Sequence, residues 1–259
     1  MFKFFRHIRQ RLLSGGKTGK YFKYAIGEII LVVIGILIAL QINDWNQYKK
    51  DRKLEAQYYC RLLEDVNQDL VNYNDYVALL NERIDVNNTA IQRLQDNSMP
   101  LDSITPLILK SIKYSIRNII ATTDAFEDIK SSGNLNIIKD LSIKNQLADY
   151  YKTLANTSAV IESNGKAITD KRFLESEDVI SSGWIKLLEN VNAIDTSKVN
   201  LTSLKSKVNF TDDIRLKMIN DAVFNLGINS RNKQLLKLLE NDIQSMIDLL
   251  QNKCAEDND

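Results

Sequence analysis

The stretch that decides the fold is YAIGEIILVVIGILIALQINDW, residues 24–45. Only Glu28 and Gln41 interrupt an apolar run from Ala25 to Ile42, which is 18 residues long. A helix of about this length is the shortest that crosses a hydrocarbon core roughly 30 Å thick. The sequence therefore predicts a transmembrane helix over residues 24–45, with a short tail before it and a large domain after it.

The charges on the two sides of this helix predict its orientation. Residues 1–23 carry seven basic side chains and no acidic one, whereas Lys49 and Lys50 after the helix are mixed with Asp44 and Asp51. Because Lys and Arg resist translocation, we expect residues 1–23 in the cytoplasm and residues 46–259 outside it. A cleaved signal peptide is the alternative, but its basic region would be over 20 residues long and no small-x-small cleavage site follows.

Residues 2–12 predict a short amphipathic helix on the membrane surface. Apolar side chains recur there every three to four positions, and basic side chains flank them, an arrangement that suits an anionic bilayer. We therefore expect this tail to bind the lipid bilayer and not nucleic acid. The candidate membrane-contacting residues are Phe2, Phe5, Ile8, Leu12, Arg6, Arg9, Arg11 and the interfacial Trp45.

Two features within the membrane stretch are candidates for contact with a partner helix. Gly35 and Ala39 form a small-xxx-small pair, a spacing that lets two membrane helices approach closely, although it also occurs by chance. Glu28 is a carboxylate at membrane depth, which is a functional hypothesis by default. Its ordinary interpretation is a helix-terminal acid that reaches headgroups or Lys20 and Lys23.

Beyond the membrane stretch, a heptad pattern indicates that the same helix continues. Apolar positions alternate at spacings of three and four for about five heptads, and no Pro or Gly lies between Lys49 and Ser98. A parallel coiled-coil dimer would also produce this pattern. The predicted seam consists of Tyr59, Leu63, Val66, Leu70, Tyr73, Val77, Leu80, Ile84, Asn87, Ile91 and Leu94.

The rest of the chain predicts further helices, enough to cover the first one within a single molecule. Apolar stripes predict helices over residues 101–121 and 138–168 and from Asp212 or Asp213 to the end. Thr123 or Asp124 caps a short helix that Gly133 ends. An irregular connection spans about 169–211, with a helix near 183–191. The predicted fold is all-α, a membrane helix continuing into an antiparallel helical bundle.

Two segments resemble a known family. Residues 5–46 read FRHIRQRLLSGGKTGKYFKYAIGEIILVVIGILIALQINDWN and resemble the opening of a family of uncharacterised single-pass membrane proteins found in Bacteroidota. Residues 124–151, DAFEDIKSSGNLNIIKDLSIKNQLADYY, are similar to the second shared segment of that family. The resemblance implies an inner-membrane protein whose helical domain faces the periplasm. It implies no reaction, ligand or catalytic residue.

The composition argues against an enzyme. His7 in the basic tail is the only histidine, so the large domain lacks the commonest general base and metal ligand. Its acidic residues are spread along helices, and neighbours such as Glu64 and Asp65 do not share a helix face, so we expect solvated surfaces. We therefore expect no catalytic residue, no metal site and no cofactor.

Two functions remain, both acting through partners. The first is an anchored interaction or assembly module, which binds a protein partner or forms a homo-oligomer. The second is a periplasmic ligand sensor that signals through a partner protein, with Asn87, Thr157 and Asn164 as polar seam residues lining a site for an unknown ligand. Polar layers that only fix helix register are the simpler interpretation of these three residues. Cys60 and Cys254 form a disulfide or remain free buried thiols.

Overall fold

A computed structural model describes residues 18–112, 117–174, 193–201 and 211–255. Within these ranges it contains only helices and irregular segments, so the all-α prediction is confirmed. The chain divides into two units, residues 1–56 and 57–259. The α-helices are α1 (Thr18–Gln95), α2 (Leu101–Ile112), α3 (Asp124–Ser131), α4 (Leu141–Leu174) and α5 (Asp212–Ala255), and a 3₁₀ turn spans Asn134–Asn136.

The first unit contains the N-terminal part of α1. Every residue from 29 to 50 is exposed there, including an unbroken run of large aliphatic side chains. Among the described residues, α1 is the one helix long and apolar enough to cross a membrane. Exposing so many aliphatic side chains to water would be unfavourable. This part of the chain is therefore compatible with a membrane anchor.

In the second unit, the buried positions of α1 alternate at spacings of three and four. The predicted seam is right at Tyr59, Val66, Tyr73, Leu80, Asn87 and Leu94, which are all buried. At every second position the predicted residue is less buried than a neighbour, although Ile91 still packs against a buried apolar core. The residues predicted there, Leu63, Leu70, Val77, Ile84 and Ile91, are only half-buried. The structure buries their neighbours instead, which are Leu62, Asp69, Tyr76, Arg83 and Ala90.

Helices α1 and α5 pack antiparallel, and contacts at three levels fix their register. Near one end, Cys60 lies against Cys254. In the middle, Lys233 donates a hydrogen bond to Asn81 Oδ1 at 2.7 Å. At the other end, the Arg215 guanidinium donates to the carbonyl oxygen of Leu94 at 3.2 Å. These contacts align the two helices from Cys60 to Leu94 of α1.

Helix α4 runs antiparallel to α5 and completes a group of three long helices. Asn164 Nδ2 donates to Asn232 Oδ1 at 2.7 Å, and Lys171 Nζ lies 3.4 Å from Asp221 Oδ1. The second long helix predicted after Ile138 and the last helix starting at Asp212 are confirmed. The helix predicted near 183–191 lies outside the described residues.

The fourth element of the bundle is a broken helix, which corrects the prediction of one helix over residues 101–121. Helix α2 ends at Ile112, and residues 117–123 are not helical. Several β-branched residues lie in this stretch, and these lose side-chain freedom in a helix. Helix α3 then resumes at Asp124.

Helix α2 packs against the end of α1 in a small apolar core. Arg93 donates to the carbonyl oxygen of Ser103 at 3.1 Å, and Lys110 pairs with Glu82 at 2.9 Å. The buried residues of this core come from three helices and are Ala90, Leu94, Ile104, Ile108, Met218 and Ala222.

A disulfide joins Cys60 of α1 to Cys254 at the end of α5, with the Cα atoms 4.9 Å apart. The two cysteines are 194 positions apart, so the crosslink closes almost the whole second unit into a loop. Crosslinking the ends of a long loop restricts the unfolded chain and thereby stabilises the folded one.

We expect the double variant Cys60→Ser, Cys254→Ser to lower the free energy of unfolding by about 2–5 kcal/mol. The measurement is denaturant unfolding of the full chain in detergent, followed by circular dichroism. The native protein treated with a reductant serves as the control and should lose the same amount. Equal stability of the oxidised and reduced native protein would contradict a stabilising crosslink.

Candidate functional site

The predicted membrane-contacting residues of the tail, Phe2, Phe5, Arg6, Ile8, Arg9, Arg11 and Leu12, lie outside the described residues. Trp45 is described and exposed, and the Lys49 ammonium lies 3.9 Å from the centroid of its ring. An aromatic ring next to a cation is typical of a membrane interface, where one end of the pair is apolar and the other wet.

The predicted helix-contact residues are placed on the exposed part of α1. Ala39 is exposed, and a Cβ atom added to Gly35 would meet no atom within 4 Å. Within the described residues of the first unit, α1 is the only element, so this pair has no helix beside it there. Glu28 is half-buried. Contact of these three residues with a partner helix stays a prediction.

The most developed polar site is a pair of buried carboxylates on α1, which we call the carboxylate clamp: Asp65 and Asp69. They lie four residues apart and therefore on one face of the helix. Asp69 Oδ1 accepts a hydrogen bond from the backbone N–H of Thr122 at 2.6 Å, and Asp65 Oδ2 accepts one from Ala125 at 2.8 Å. The clamp thus binds the backbone where the broken fourth element re-enters a helix.

This arrangement replaces the helix cap that the sequence predicted. Thr123 is the N-cap residue of α3, but its side chain makes no capping hydrogen bond. The carboxylate of Asp65, far away in sequence, accepts the N–H of Ala125 instead. Free N–H groups in the first turn of a helix need such acceptors. The cap is therefore tertiary and not local.

Tyr150 of α4 completes the clamp. Its hydroxyl donates to Asp69 Oδ2 at 2.7 Å, so both oxygens of the buried Asp69 carboxylate accept a hydrogen bond. The neighbouring Tyr151 ring stacks on Phe126 of α3, with the ring centroids 4.4 Å apart. The clamp thus connects α1, α3 and α4.

Burial controls the protonation of the clamp. Desolvation raises the pKa of Asp69 and of Asp65, while the hydrogen bonds from Thr122, Tyr150 and Ala125 oppose this rise. Burial also raises the pKa of Tyr150, and the negative charge of Asp69 adds to the effect. Tyr150 therefore remains a hydrogen-bond donor over the accessible pH range.

The end of α3 is held by a second set of contacts on α1. Arg61 forms an ion pair with Asp128, and Asn134 Nδ2 donates to the Tyr58 hydroxyl at 2.8 Å. Gly133 has a positive φ of 73° and ends the helix, which confirms the prediction for this residue. Together with the clamp, these contacts fix residues 122–136 on α1.

A second polar site, the asparagine layer, lies further along the bundle: Asn87 on α1 and Asn225, Asn229 and Asn232 on α5. All four side chains are buried. Asn164 of α4 meets this layer through its hydrogen bond to Asn232. Thr157, the other predicted seam residue, is only half-buried. The structure therefore brings Asn87 and Asn164 to the same region of the bundle, whereas Thr157 lies two turns before Asn164 on α4.

Charged and aromatic side chains border the asparagine layer. Arg83, one turn before Asn87, is 2% exposed, and burial lowers the pKa of its guanidinium. The phenol of Tyr76 lies beside Arg83 and Asn232, and burial raises its pKa against their influence. Arg117 and Glu82 are the other charges that act on Arg83. The layer is thus polar and contains a buried cation.

The expectation that acidic residues form solvated surfaces is wrong for Asp65 and Asp69. No local signal in the sequence indicated their burial, because the backbone donors to these carboxylates lie 53 and 60 residues away in the chain. Within the described residues, no three His, Cys, Asp or Glu side chains form a group that would hold a metal ion. With its hydrogen bonds made within the chain, the carboxylate clamp supports a structural role.

Comparison with known proteins places the chain in one family. A protein-family model, described as "Family of unknown function (DUF6090)", matches residues 28–214, which is more than half of the chain. Searches of curated proteins and of solved structures found no match. The matched range includes part of the membrane stretch, the carboxylate clamp and Asn87.

We expect the variant Asp69→Asn to change how stability depends on pH. The raised pKa of Asp69 means that the folded state holds this proton more tightly than the unfolded state does. The resulting stability is present below the ordinary carboxyl pKa of about 4 and is lost as pH rises through the folded pKa. The free energy of unfolding of the native protein minus that of Asp69→Asn should therefore decrease from about pH 4 toward neutrality.

Denaturant unfolding of the full chain at a series of pH values measures this difference. Asp149→Asn, which changes an exposed carboxylate next to Tyr150, is the matched control. A difference between native protein and Asp69→Asn that grows with rising pH would contradict the prediction, because it would indicate that the hydrogen bonds outweigh desolvation.

Proposed function

The chain belongs to the DUF6090 family, and on that premise we propose that it is a single-pass inner-membrane protein that presents a periplasmic helical bundle to a protein partner. One described helix is long and apolar enough to cross a membrane, which supports the anchor. The basic residues before Tyr24 support a cytoplasmic N-terminus.

The disulfide supports the same orientation by an independent route. Disulfides persist in oxidising compartments such as the periplasm and are rare in the cytosol. The Cys60–Cys254 crosslink lies in the second unit, which the charge asymmetry also assigns to the outside. The retention of basic residues in the cytoplasm and the oxidation of cysteines in the periplasm are separate physical effects. Both favour a periplasmic bundle.

An exposed apolar stripe on α5 is the observation that favours a partner-binding role. Leu216, Val223 and Leu238 are 58%, 52% and 71% exposed. Their separations of seven and fifteen residues correspond to about two and about four turns, which places them on one face of the helix. Gly227 and Gln234, which are exposed on the same face, separate Leu238 from the other two, so the three apolar side chains line one face without forming a continuous patch. We assign this stripe to a protein partner or a second copy of the chain.

Reporter fusions test the orientation. A fluorescent protein that matures only in the cytoplasm should be active at the N-terminus of the chain and inactive after Asp259. A phosphatase that needs an oxidising compartment should give the opposite result. Activity of the phosphatase at the N-terminus together with fluorescence after Asp259 would place the bundle in the cytoplasm and overturn the proposal.

Photo-crosslinking in membranes tests the stripe. A photoreactive residue in place of Val223 should form an adduct, because an apolar partner surface would lie against it. The same residue in place of Lys152, an exposed position on α4, is the control. Leu216→Ser with Leu238→Ser should weaken the Val223 adduct several-fold, whereas Val71→Ser with Val160→Ser, exposed residues of α1 and α4, should not.

The mass of the adduct separates a second copy from another protein. Equal labelling from the positions of Val223 and Lys152, unaffected by the serine variants, would show nonspecific contact and contradict a role for the stripe.

A ligand sensor that signals through a partner is the second candidate function. It is favoured by one specific observation, the buried asparagine layer, in which three amide atoms have no hydrogen-bond partner. The catalytic alternative has no comparable support, and we propose no enzymatic activity.

A further inference from the structure

Helices α4 and α5 leave an apolar groove between them on the surface of the bundle. On α5 its lining residues recur at spacings of three, four and seven, and each directly precedes a buried residue, so they form one flank of the buried face. Phe224 and Leu238 are 39% and 71% exposed, and Ile228 and Leu235 are half-buried. The residues of this α4–α5 groove are Phe224, Ile228, Leu235 and Leu238 of α5 and Val160 and Ala167 of α4.

Three contacts show that this flank of α5 faces α4. The Lys171 ammonium of α4 lies 5.3 Å from the centroid of the Phe224 ring. The same Nζ atom lies 3.4 Å from Asp221 Oδ1, about one turn before Phe224. Further along, Asn164 of α4 bonds to Asn232 of α5 at 2.7 Å. The groove therefore follows the line along which the two helices touch.

The register of these contacts brings the two walls of the groove opposite each other. The helices are antiparallel, so a step toward the N-terminus of α4 from Lys171 corresponds to a step toward the C-terminus of α5. Ala167 is consequently level with Ile228, and Val160 is level with Leu235. Val160 and Ala167 are seven residues apart, about two turns, and lie on one face of α4.

The other flank of α5, which faces α1, is polar over the same length. Its residues there are Ser230, Lys233, Lys237 and Glu240. Lys233 donates to Asn81 of α1, so this side of the helix is closed by a polar contact. Charged residues are common at such flanking positions of helix pairs. An apolar flank on the α4 side thus departs from the usual pattern, and apolar surface left exposed in this way marks a contact site.

Two charges in the groove specify what binds there. Arg231 lies in the middle of the flank, and Asp242 lies about one turn beyond Leu238. Both are exposed, and neither forms an ion pair with another residue that the structure describes. Burial raises the pKa of the Tyr150 phenol of α4 and the charge of Asp242 adds to the rise, so Asp242 faces α4. An occupant therefore meets a positive charge at the centre and a negative charge at one end.

A second copy of the chain presents no matching helix among its described residues. In the second unit, α1 has one exposed large apolar side chain, Val71, and α4 has two that are 19 residues apart, Leu141 and Val160. Outside the groove, α5 has Leu216 and Val223, which are two turns apart. None of these faces has apolar residues on four successive turns, the number that the groove offers. The occupant is therefore part of another protein.

We infer that the α4–α5 groove binds an amphipathic helix of another protein. Apolar residues of that helix, at spacings of three and four, pack against the groove. An acidic residue of the helix lies opposite Arg231, and a basic residue lies opposite Asp242. Because Arg231 and Asp242 are 11 positions apart, the acid and the base of the partner are separated by about 16 Å, or about three turns. The groove is a second contact surface, distinct from the apolar stripe except at Leu238.

Photo-crosslinking of the full-length protein in intact membranes tests the groove. A photoreactive residue in place of Ala167, an exposed residue of the α4 wall, should form an adduct with another protein. Mass spectrometry should map the adduct to an amphipathic segment that has an acidic and a basic residue about three helical turns apart. The same photoreactive residue in place of Ala155, which is exposed on a different face of α4, is the control.

Charge reversal separates specific docking from nonspecific contact. Arg231→Glu with Asp242→Lys should reduce the Ala167 adduct at least about fivefold, because each new charge faces a like charge of the partner. Lys237→Glu with Asp248→Lys reverses two charges at the same spacing outside the groove and should leave the adduct unchanged. All four residues are exposed, so both variants should fold. Reversing the two mapped charges of the partner should restore the adduct with the first variant.

The inference is wrong if Ala167 gives no more adduct than Ala155, or if the adduct joins the chain to itself or to a second copy. It is also wrong if the mapped segment lacks the two charges, or if the two charge-reversed variants behave alike. Loss of the Val223 adduct alone would count against the apolar stripe and not against the groove, so the two surfaces are tested separately.

Discussion

The hydrogen bonds that residues 122–125 donate to the carboxylates of Asp69 and Asp65 are the contacts on which the bundle depends most. Residues 117–123 are not helical, so their backbone N–H groups lack the acceptors that a continuous helix would supply. The carboxylate clamp supplies an acceptor for one of them, Thr122, and another for Ala125 in the first turn of α3, so α3 begins at a defined point. Phe126 can then stack on Tyr151, and Arg61 can pair with Asp128.

The sequence predicted the helices more accurately than the faces they bury. Long apolar periodicity and the scarcity of Gly and Pro were sufficient to predict α1, α4 and α5, because both signals are local. At one position of the seam the physical cause of the error is clear. Assigning the apolar residue to the core favours Leu70, but Asp69 is buried because Thr122 and Tyr150 donate hydrogen bonds to it. Such partners are far away in sequence and leave no local pattern.

The same limit explains the cap of α3. Thr123 has the residue type of a local cap, yet Asp65 takes that role from α1. Only the tertiary arrangement brings residue 65 to residue 125. Gly133 was predictable because a left-handed residue after a short helix is a local requirement that glycine meets at the lowest cost. The role of a residue that acts within its own helical turn, such as Gly133, could thus be predicted from the sequence. The role of a residue that contacts another helix, such as Asp65, could not.

The two polar sites of α1 differ in one respect that separates their roles. Both oxygens of Asp69 are paired within the chain, so the clamp is complete without any other molecule. Asn87 and Asn229 each pair only their nitrogen, toward their own helix. The disulfide and the Arg215 contact hold α1 and α5 in register at both ends, so α5 cannot slide to pair these oxygens differently.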